Sequence, residues 1–116
     1  MKSFWTADAH VEYEKATGYY NYPEVPFGDL LREMIRPTDV VADIGCGFGV
    51  VSLWLSRICR HVIAIDQDEA AIRRLQERMQ EEGIANITTH LAIWPDVDCD
   101  DWDVAVSMYH HRFAYT

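Results

Sequence analysis

The stretch VVADIGCGFGVVSLWLS, from Val40 to Ser56, carries three glycines at alternate positions between two apolar runs. Its first five residues are apolar and rich in β-branched side chains, which predicts a buried parallel strand. The run that follows the glycines, as far as Cys59, predicts a helix that is buried on most of its faces. A glycine-rich turn between a strand and a helix lets a ligand approach the backbone and points the free N–H groups of the helix start at it. The stretch therefore predicts a site for a nucleotide or a nucleotide-like cofactor.

Strands and helices alternate along most of the chain. From residue 27 onward the expected elements are helix 27–36, strand 40–44, helix 50–59, strand 61–66, helix 68–83, strand 87–93 and strand 103–108. This order predicts an α/β fold: a Rossmann-like, doubly wound sheet, mainly parallel and incomplete at about four strands, with helices on both faces. In such sheets, ligands bind beyond the carboxyl ends of the strands, near the point where the strand order reverses.

The helix predicted at 68–83 has the clearest pattern in the sequence. Ile72 and Leu75 lie on one apolar stripe, and Glu69 stands four residues before Arg73, the spacing of a helical ion pair. Gly83 stands where a helix-ending glycine is expected.

The second predicted strand, HVIAID, ends at an acidic residue, Asp66. It stands 21 positions after Gly45, a separation at which a carboxylate can bind both hydroxyls of a ribose held at the glycine turn. The alternative is that the glycines form only a tight turn and that Asp66 only caps the next helix. The sequence contains neither the dinucleotide fingerprint nor the Walker phosphate loop, which disfavours nicotinamide cofactors.

The composition argues against several classes of partner. The chain of 116 residues is long enough for one domain, and its formal charge of −9 repels a phosphate backbone, so we expect no nucleic acid. The three cysteines have no CxxC spacing, which argues against a disulfide framework and a zinc ribbon and favours the cytoplasm. No apolar run is long enough to span a bilayer and the N-terminus does not resemble a signal peptide, so we expect no membrane partner.

Three stretches, VVADIGCGFGVVSLWLS, HVIAIDQDEAAI and WDVAVS, together resemble the class I S-adenosylmethionine-dependent methyltransferases. The resemblance covers about residues 27–108. It implies a methyltransferase that takes S-adenosylmethionine as cofactor and releases S-adenosylhomocysteine. Residues 27–116 are then the cofactor-binding domain, and residues 1–26 are an N-terminal arm or lid. The alternative for the aromatic side chains of that arm is a structural role in covering the sheet edge.

The resemblance also implies a set of cofactor-binding residues. The three glycines line the methionine and ribose parts of the cofactor, and Asp43 lies near its amino group, directly or through water. Asp66 holds the ribose hydroxyls. Family members commonly have a Gly-Asp pair after the third strand, where this chain has Ala92 and Ile93. The complete set is Asp43, Gly45, Cys46, Gly47, Gly49, Asp66, Gln67, Ile93 and Trp94.

The sequence SMYHHRF follows the fourth predicted strand, where family members place residues on the acceptor side. Tyr109, His110 and His111 are therefore candidates for contact with the acceptor or for proton removal; the alternative is that the histidines are solvated at the surface. No third ligand has a recognisable spacing to the histidines, so we expect no metal site. The proline-containing motif of nucleic-acid amino methyltransferases is absent, and together with the acidic charge this points to a small-molecule or a protein acceptor, of which we expect the small molecule.

The length of the chain departs from the family. Members usually have seven strands and about twice this length, whereas the resemblance here stops after the fourth strand. The chain is either a fragment, or completed by another chain, or a shortened homologue that binds cofactor without transferring a methyl group. This last case is the alternative function, a non-catalytic cofactor-binding or interaction protein. An open fourth-strand edge invites pairing, so we expect a homodimer or a partner chain at that edge.

Overall fold

The computed structural model describes residues 28–93 and 101–107. In chain order the elements are α1 (Gly28–Met34), β1 (Val40–Ile44), α2 (Val50–Leu55), β2 (His61–Asp66), α3 (Glu69–Glu82), β3 (Ile87–Leu91) and β4 (Val104–Val106). The strands form one sheet in the order β3-β2-β1-β4, and every neighbouring pair is parallel. The predicted Rossmann-like parallel sheet of four strands is confirmed. The N-terminal arm or lid predicted for residues 1–26 lies outside the described residues.

Four elements are shorter than the sequence predicted. α1 ends at Met34 instead of residue 36, and β3 ends at Leu91 instead of residue 93. α2 ends at Leu55 instead of residue 59, because the next hydrogen bonds, from Arg57 N to Trp54 O and from Ile58 N to Leu55 O, span three residues instead of four. β4 begins after Asp103, whose carboxylate accepts a hydrogen bond of 2.8 Å from the backbone N–H of Val40. A side chain thus replaces the strand carbonyl at that point. β4 forms one edge of the described sheet, and the predicted cover for this edge stays a prediction.

Side chains on both faces of the sheet are buried, as a parallel sheet requires. On one face, Val41 and Val62 pack in a single cluster with residues from all three described helices, including the fully buried Trp54 and Leu75. On the opposite face, a second cluster of buried residues includes Ile65. No helix in residues 28–93 and 101–107 is long and apolar enough to cross a membrane.

The ends of α3 are defined by hydrogen bonds and backbone geometry. The Asp68 side chain accepts from the N–H groups of Ala70 and Ala71 and forms the N-cap. Gly83 adopts a left-handed φ of 67° at the C-cap, as its position in the sequence predicts. Because the N-cap Asp68 stands two residues after the end of β2, the cap also fixes where the end of β2 lies relative to the helix.

Candidate functional site

The candidate site lies at the carboxyl ends of β1 and β2. β2 and β3 lie on one side of β1 and β4 lies on the other, so the strand order reverses at β1. The glycine turn, residues Gly45–Gly49, follows β1 at this point and leads into α2. This is the position at which open α/β sheets bind ligands.

The glycine turn is anchored to the end of β2 by backbone hydrogen bonds. The N–H groups of Gly45 and Cys46 both donate to the carbonyl oxygen of Ile65, at 2.8 and 2.9 Å. The Gly49 N–H donates to Cys46 O at 3.1 Å and closes the turn. The glycine φ angles are 71° at Gly45, 58° at Gly47 and 93° at Gly49, all in the left-handed region. The turn is therefore a defined structure that is held against the neighbouring strand.

Two of the glycines exclude side chains for different reasons. A Cβ atom at Gly49 would fall on Cδ1 of Leu75 and lie 2.9 Å from its Cγ, and Leu75 is fully buried in α3. A Cβ atom at Gly47 would meet no atom within 4 Å among the described residues. Gly49 is thus required by the packing of α3, whereas Gly47 leaves its backbone open to a ligand.

Asp66 is hydrogen-bonded to the glycine turn. Its Oδ2 accepts from the N–H of Gly47 at 2.8 Å, and its Oδ1 accepts from the N–H of Asp68 at 2.8 Å. A carboxylate has about four acceptor positions, so both oxygens keep capacity for a ribose diol. The alternative role of capping α3 belongs instead to Asp68, which accepts from two N–H groups of the first turn.

Asp43 is a buried carboxyl beneath the turn. It is 2% exposed, and its Oδ2 accepts a hydrogen bond of 2.6 Å from the hydroxyl of Ser52 in α2. Burial raises the pKa of Asp43 to about 7; the negative charge of Asp66 adds to this rise and the Ser52 hydrogen bond opposes it. The sequence prediction missed Ser52, although a single hydroxyl among the apolar residues of α2 was the available signal.

Cys46 belongs to the predicted cofactor-binding set, and its contact with the cofactor stays a prediction. Its side chain is buried inside the turn, and burial, followed by the charges of Asp43 and Asp66, raises the pKa of the thiol well above its ordinary value. A neutral buried thiol is a poor nucleophile. Cys46 therefore serves as a small residue that fills the turn.

The remaining predicted residues fall in two groups. Gln67 directly follows Asp66 and is half-buried, and Ile93 lies beyond the end of β3 with its side chain exposed. The segment after β3 is tied to the site by a hydrogen bond of 2.8 Å from Ala92 N to Asp66 O. Outside the described residues lie Trp94, Tyr109, His110 and His111. Residues 28–93 and 101–107 contain no group of three His, Cys, Asp or Glu side chains suited to a metal ion.

The comparisons with known proteins decide the family. A family model described as "Methyltransferase domain" matches residues 41–115. The chain belongs to that methyltransferase family. The assignment confirms the predicted class and supports S-adenosylmethionine as its cofactor.

Relatives and solved structures agree with the assignment. The chain is 27% identical over 79 residues to the ribosomal protein L11 methyltransferase of Acetivibrio thermocellus, a match that covers 67% of this chain and 25% of the relative. It is 35% identical over 57 residues to a 23S rRNA (uracil(1939)-C(5))-methyltransferase of Xanthomonas euvesicatoria, covering 49% and 13%. The crystal structure of a dimethyladenosine transferase from Plasmodium falciparum matches with a TM-score of 0.63 and 26% identity, covering 68% and 29%. The chain therefore spans a quarter or less of the length of the two relatives, and 29% of the crystallised transferase.

The comparisons overturn the predicted class of methyl acceptor. The sequence predicted a small-molecule acceptor and no nucleic acid, yet the relatives just named are methyltransferases of 23S rRNA and of a ribosomal protein. The prediction is wrong because it rested on the net charge of −9, a property that does not identify the acceptor. In the relatives, most of the chain lies outside the part that this segment matches.

The two glycines predict different effects of the same substitution. Gly49→Ala places a methyl group on Leu75 at a left-handed φ, so we expect a loss of about 3 kcal/mol in the free energy of unfolding. Gly47→Ala meets only the conformational cost, about 1 kcal/mol. Urea unfolding of the two variants and the wild type measures the difference. Equal losses would contradict the assignment of Gly49 to packing.

Asp43 predicts a stability that falls with rising pH. The folded state holds its proton up to a pKa of about 7, whereas the unfolded chain loses it near the ordinary value of 3.8. The stabilisation is therefore complete below about pH 4 and is lost as the pH rises to about 7. In Asp43→Asn the amide does not titrate and still accepts from Ser52. Between about pH 4 and pH 7 the melting temperature of the wild type should therefore fall by about 5 °C or more beyond any fall in the variant. Parallel melting curves against pH would refute the raised pKa.

Proposed function

We propose that this chain is the cofactor-binding part of a methyltransferase that transfers the methyl group of S-adenosylmethionine. The observation that carries the proposal is the hydrogen bond from Gly47 N to Asp66 Oδ2, which joins the glycine turn and the end of β2 into one site in a chain of the methyltransferase family. The proposed location is the cytoplasm, supported by the free thiols of Cys46 and Cys59.

The residues of the site fit the parts of this cofactor. In the proposal, Asp66 accepts hydrogen bonds from the two ribose hydroxyls with the acceptor positions that Gly47 and Asp68 leave open. The open space at Gly47 admits the methionine part, and Asp43 lies near its amino group. Ile93, exposed beyond β3, packs on the adenine ring, and Gln67 lies beside the ribose or the adenine. Trp94 stays a candidate for contact with the ring.

The chemistry requires positioning more than proton transfer. Bound S-adenosylmethionine supplies a methyl group on a positively charged sulfur, which an acceptor attacks in line. The contribution of this chain is to hold the donor in one orientation, and the rigid anchoring of the turn to Ile65 O serves that purpose. Tyr109, His110 and His111 stay candidates for the acceptor side.

We expect selective binding of the cofactor product that depends on Asp66. In calorimetric titrations, S-adenosylhomocysteine should bind saturably and NADH should not. Asp66→Asn replaces one acceptor oxygen with an NH₂ group, so affinity should fall about tenfold or more, since hydrogen bonds to charged groups are worth about 1.5–3 kcal/mol.

The matched control is Asp68→Asn. It removes a carboxylate two residues away, and asparagine preserves the N-cap of α3. Its affinity for S-adenosylhomocysteine should stay within about twofold of the wild type. Comparable binding of NADH, or an unchanged affinity in Asp66→Asn, would contradict the proposed site.

For the acceptor, we propose a component of the ribosome, on the support of relatives named for 23S rRNA and ribosomal protein L11. The full-length protein, incubated with ribosomes and S-adenosylmethionine carrying a labelled methyl group, should transfer label to the RNA or the protein fraction. At cofactor concentrations below saturation the Asp66→Asn variant should transfer less label, and a reaction without the protein measures the background. Absence of label in both fractions, with cofactor binding intact, would reject a ribosomal acceptor and leave the cofactor assignment standing.

A further inference from the structure

Ser52 is the polar residue of a helix that is otherwise apolar. All six residues of α2, VVSLWL, are buried, and Ser52 is fully buried among them. Its hydroxyl donates to Asp43 Oδ2 at 2.6 Å across nine residues of sequence. Formation of α2 does not require a hydroxyl at this position, so the buried Ser52 needs another explanation.

The second carboxyl oxygen of Asp43, Oδ1, is available to accept a hydrogen bond. Among residues 28–93 and 101–107, Asp43 Oδ1 has no hydrogen-bond partner, although the side chain is 2% exposed. Buried polar atoms without partners are rare in folded proteins, and they occur where a ligand, ion or water supplies the missing donor. Asp43 lies near the carboxyl end of β1, two residues before the first glycine of the turn. A donor to Oδ1 would therefore come from the end of the sheet at which the glycine turn lies.

We infer that Ser52 is a positioning residue for the cofactor: its hydroxyl holds one oxygen of Asp43 and leaves the other to accept from the cationic amino group of the cofactor. The inference rests on the proposed function, because it takes the ligand of the glycine turn to be S-adenosylmethionine or its product. Ser52 itself does not touch the ligand. It acts by fixing the orientation and favouring the charged form of Asp43.

The charges around Asp43 make this role measurable. The titratable groups that the described residues place near it are Asp66, at the end of β2, and the neutral thiol of Cys46. Its register neighbours on β2 and β4 are the apolar Ala64 and Val106. The Ser52 hydrogen bond thus favours ionisation of Asp43 against burial and a like charge. A cation arriving at Oδ1 acts in the same direction, so binding near neutral pH should expel the proton of Asp43.

The test is a calorimetric titration of the full-length protein with S-adenosylhomocysteine at pH 6.0, 7.0 and 8.5. Ser52→Ala removes a hydrogen bond to the charged form, so Asp43 ionises at higher pH in the variant. Affinity should fall about tenfold at pH 6.0, and the deficit should narrow to about twofold at pH 8.5, where the carboxyl is ionised in both proteins. Ser56→Ala is the control, since Ser56 donates to Leu53 O at 2.6 Å within the same helical segment and touches no carboxyl. Its affinity should match the wild type at every pH.

A purely structural serine gives a different result. If Ser52 only maintained the packing of α2, Ser52→Ala would lose affinity by the same factor at all three pH values, or would lose none, and either result overturns the inference. If Ser52→Ala does not fold, Ser52→Cys keeps the shape of the side chain with a weak donor and should show the same pH-dependent loss of affinity. A loss of equal size at all three pH values, or no loss, in Ser52→Cys would likewise overturn the inference. Failure of the wild type to bind S-adenosylhomocysteine would reject the proposed function and the inference together.

Discussion

The hydrogen bond from Gly47 N to the Asp66 carboxylate connects the glycine turn after β1 to the last residue of β2, 19 positions further along the chain. Beside it, the N–H groups of Gly45 and Cys46 share the carbonyl oxygen of Ile65. Because all three bonds end on the last two residues of β2, the glycine turn cannot shift without shifting Asp66. The geometry of the site is therefore established by the backbone before any ligand arrives, which is the condition for orienting a donor at low entropic cost.

Packing below the turn imposes a second constraint on the same residues. α3 presses Leu75 against the backbone of Gly49, and α3 itself starts at the N-cap Asp68, two residues after Asp66. The helix that begins beside the ribose-binding candidate thus also supports the glycine turn from the core. Packing against Leu75 therefore explains the glycine at position 49, whereas no described side chain requires one at position 47, where ligand binding is the proposed reason.

Local signals in the sequence were sufficient for the central part of the fold. β1 and β2 have the predicted bounds, since each is a short run rich in β-branched side chains, and Gly83 ends α3 as its position suggested. The early end of α2 and the late start of β4 depend on hydrogen bonds made after the chain has folded, which no local pattern records. The partner of Asp43 is of the same kind: a serine nine residues away is recognisable only once the helix lies against the strand. The acceptor prediction failed for another reason: it rested on net charge, which does not identify the acceptor of a chain that matches only a small part of each relative.

Two carboxyls at adjacent strand ends therefore meet different conditions. Asp66 is partly exposed and accepts from two backbone N–H groups, whereas Asp43 is buried and accepts from one hydroxyl. Burial of a second full negative charge beside Asp66 would cost stability in the free protein, and a pKa of about 7 for Asp43 reduces that cost by keeping a proton in place for part of the time. A cationic ligand beside Asp43 favours loss of this proton, since the positive charge stabilises the carboxylate that forms. Under the inference above, a cationic ligand bound below about pH 7 brings the site to its full negative charge, and the hydrogen bond from Ser52 lowers the pH at which Asp43 ionises.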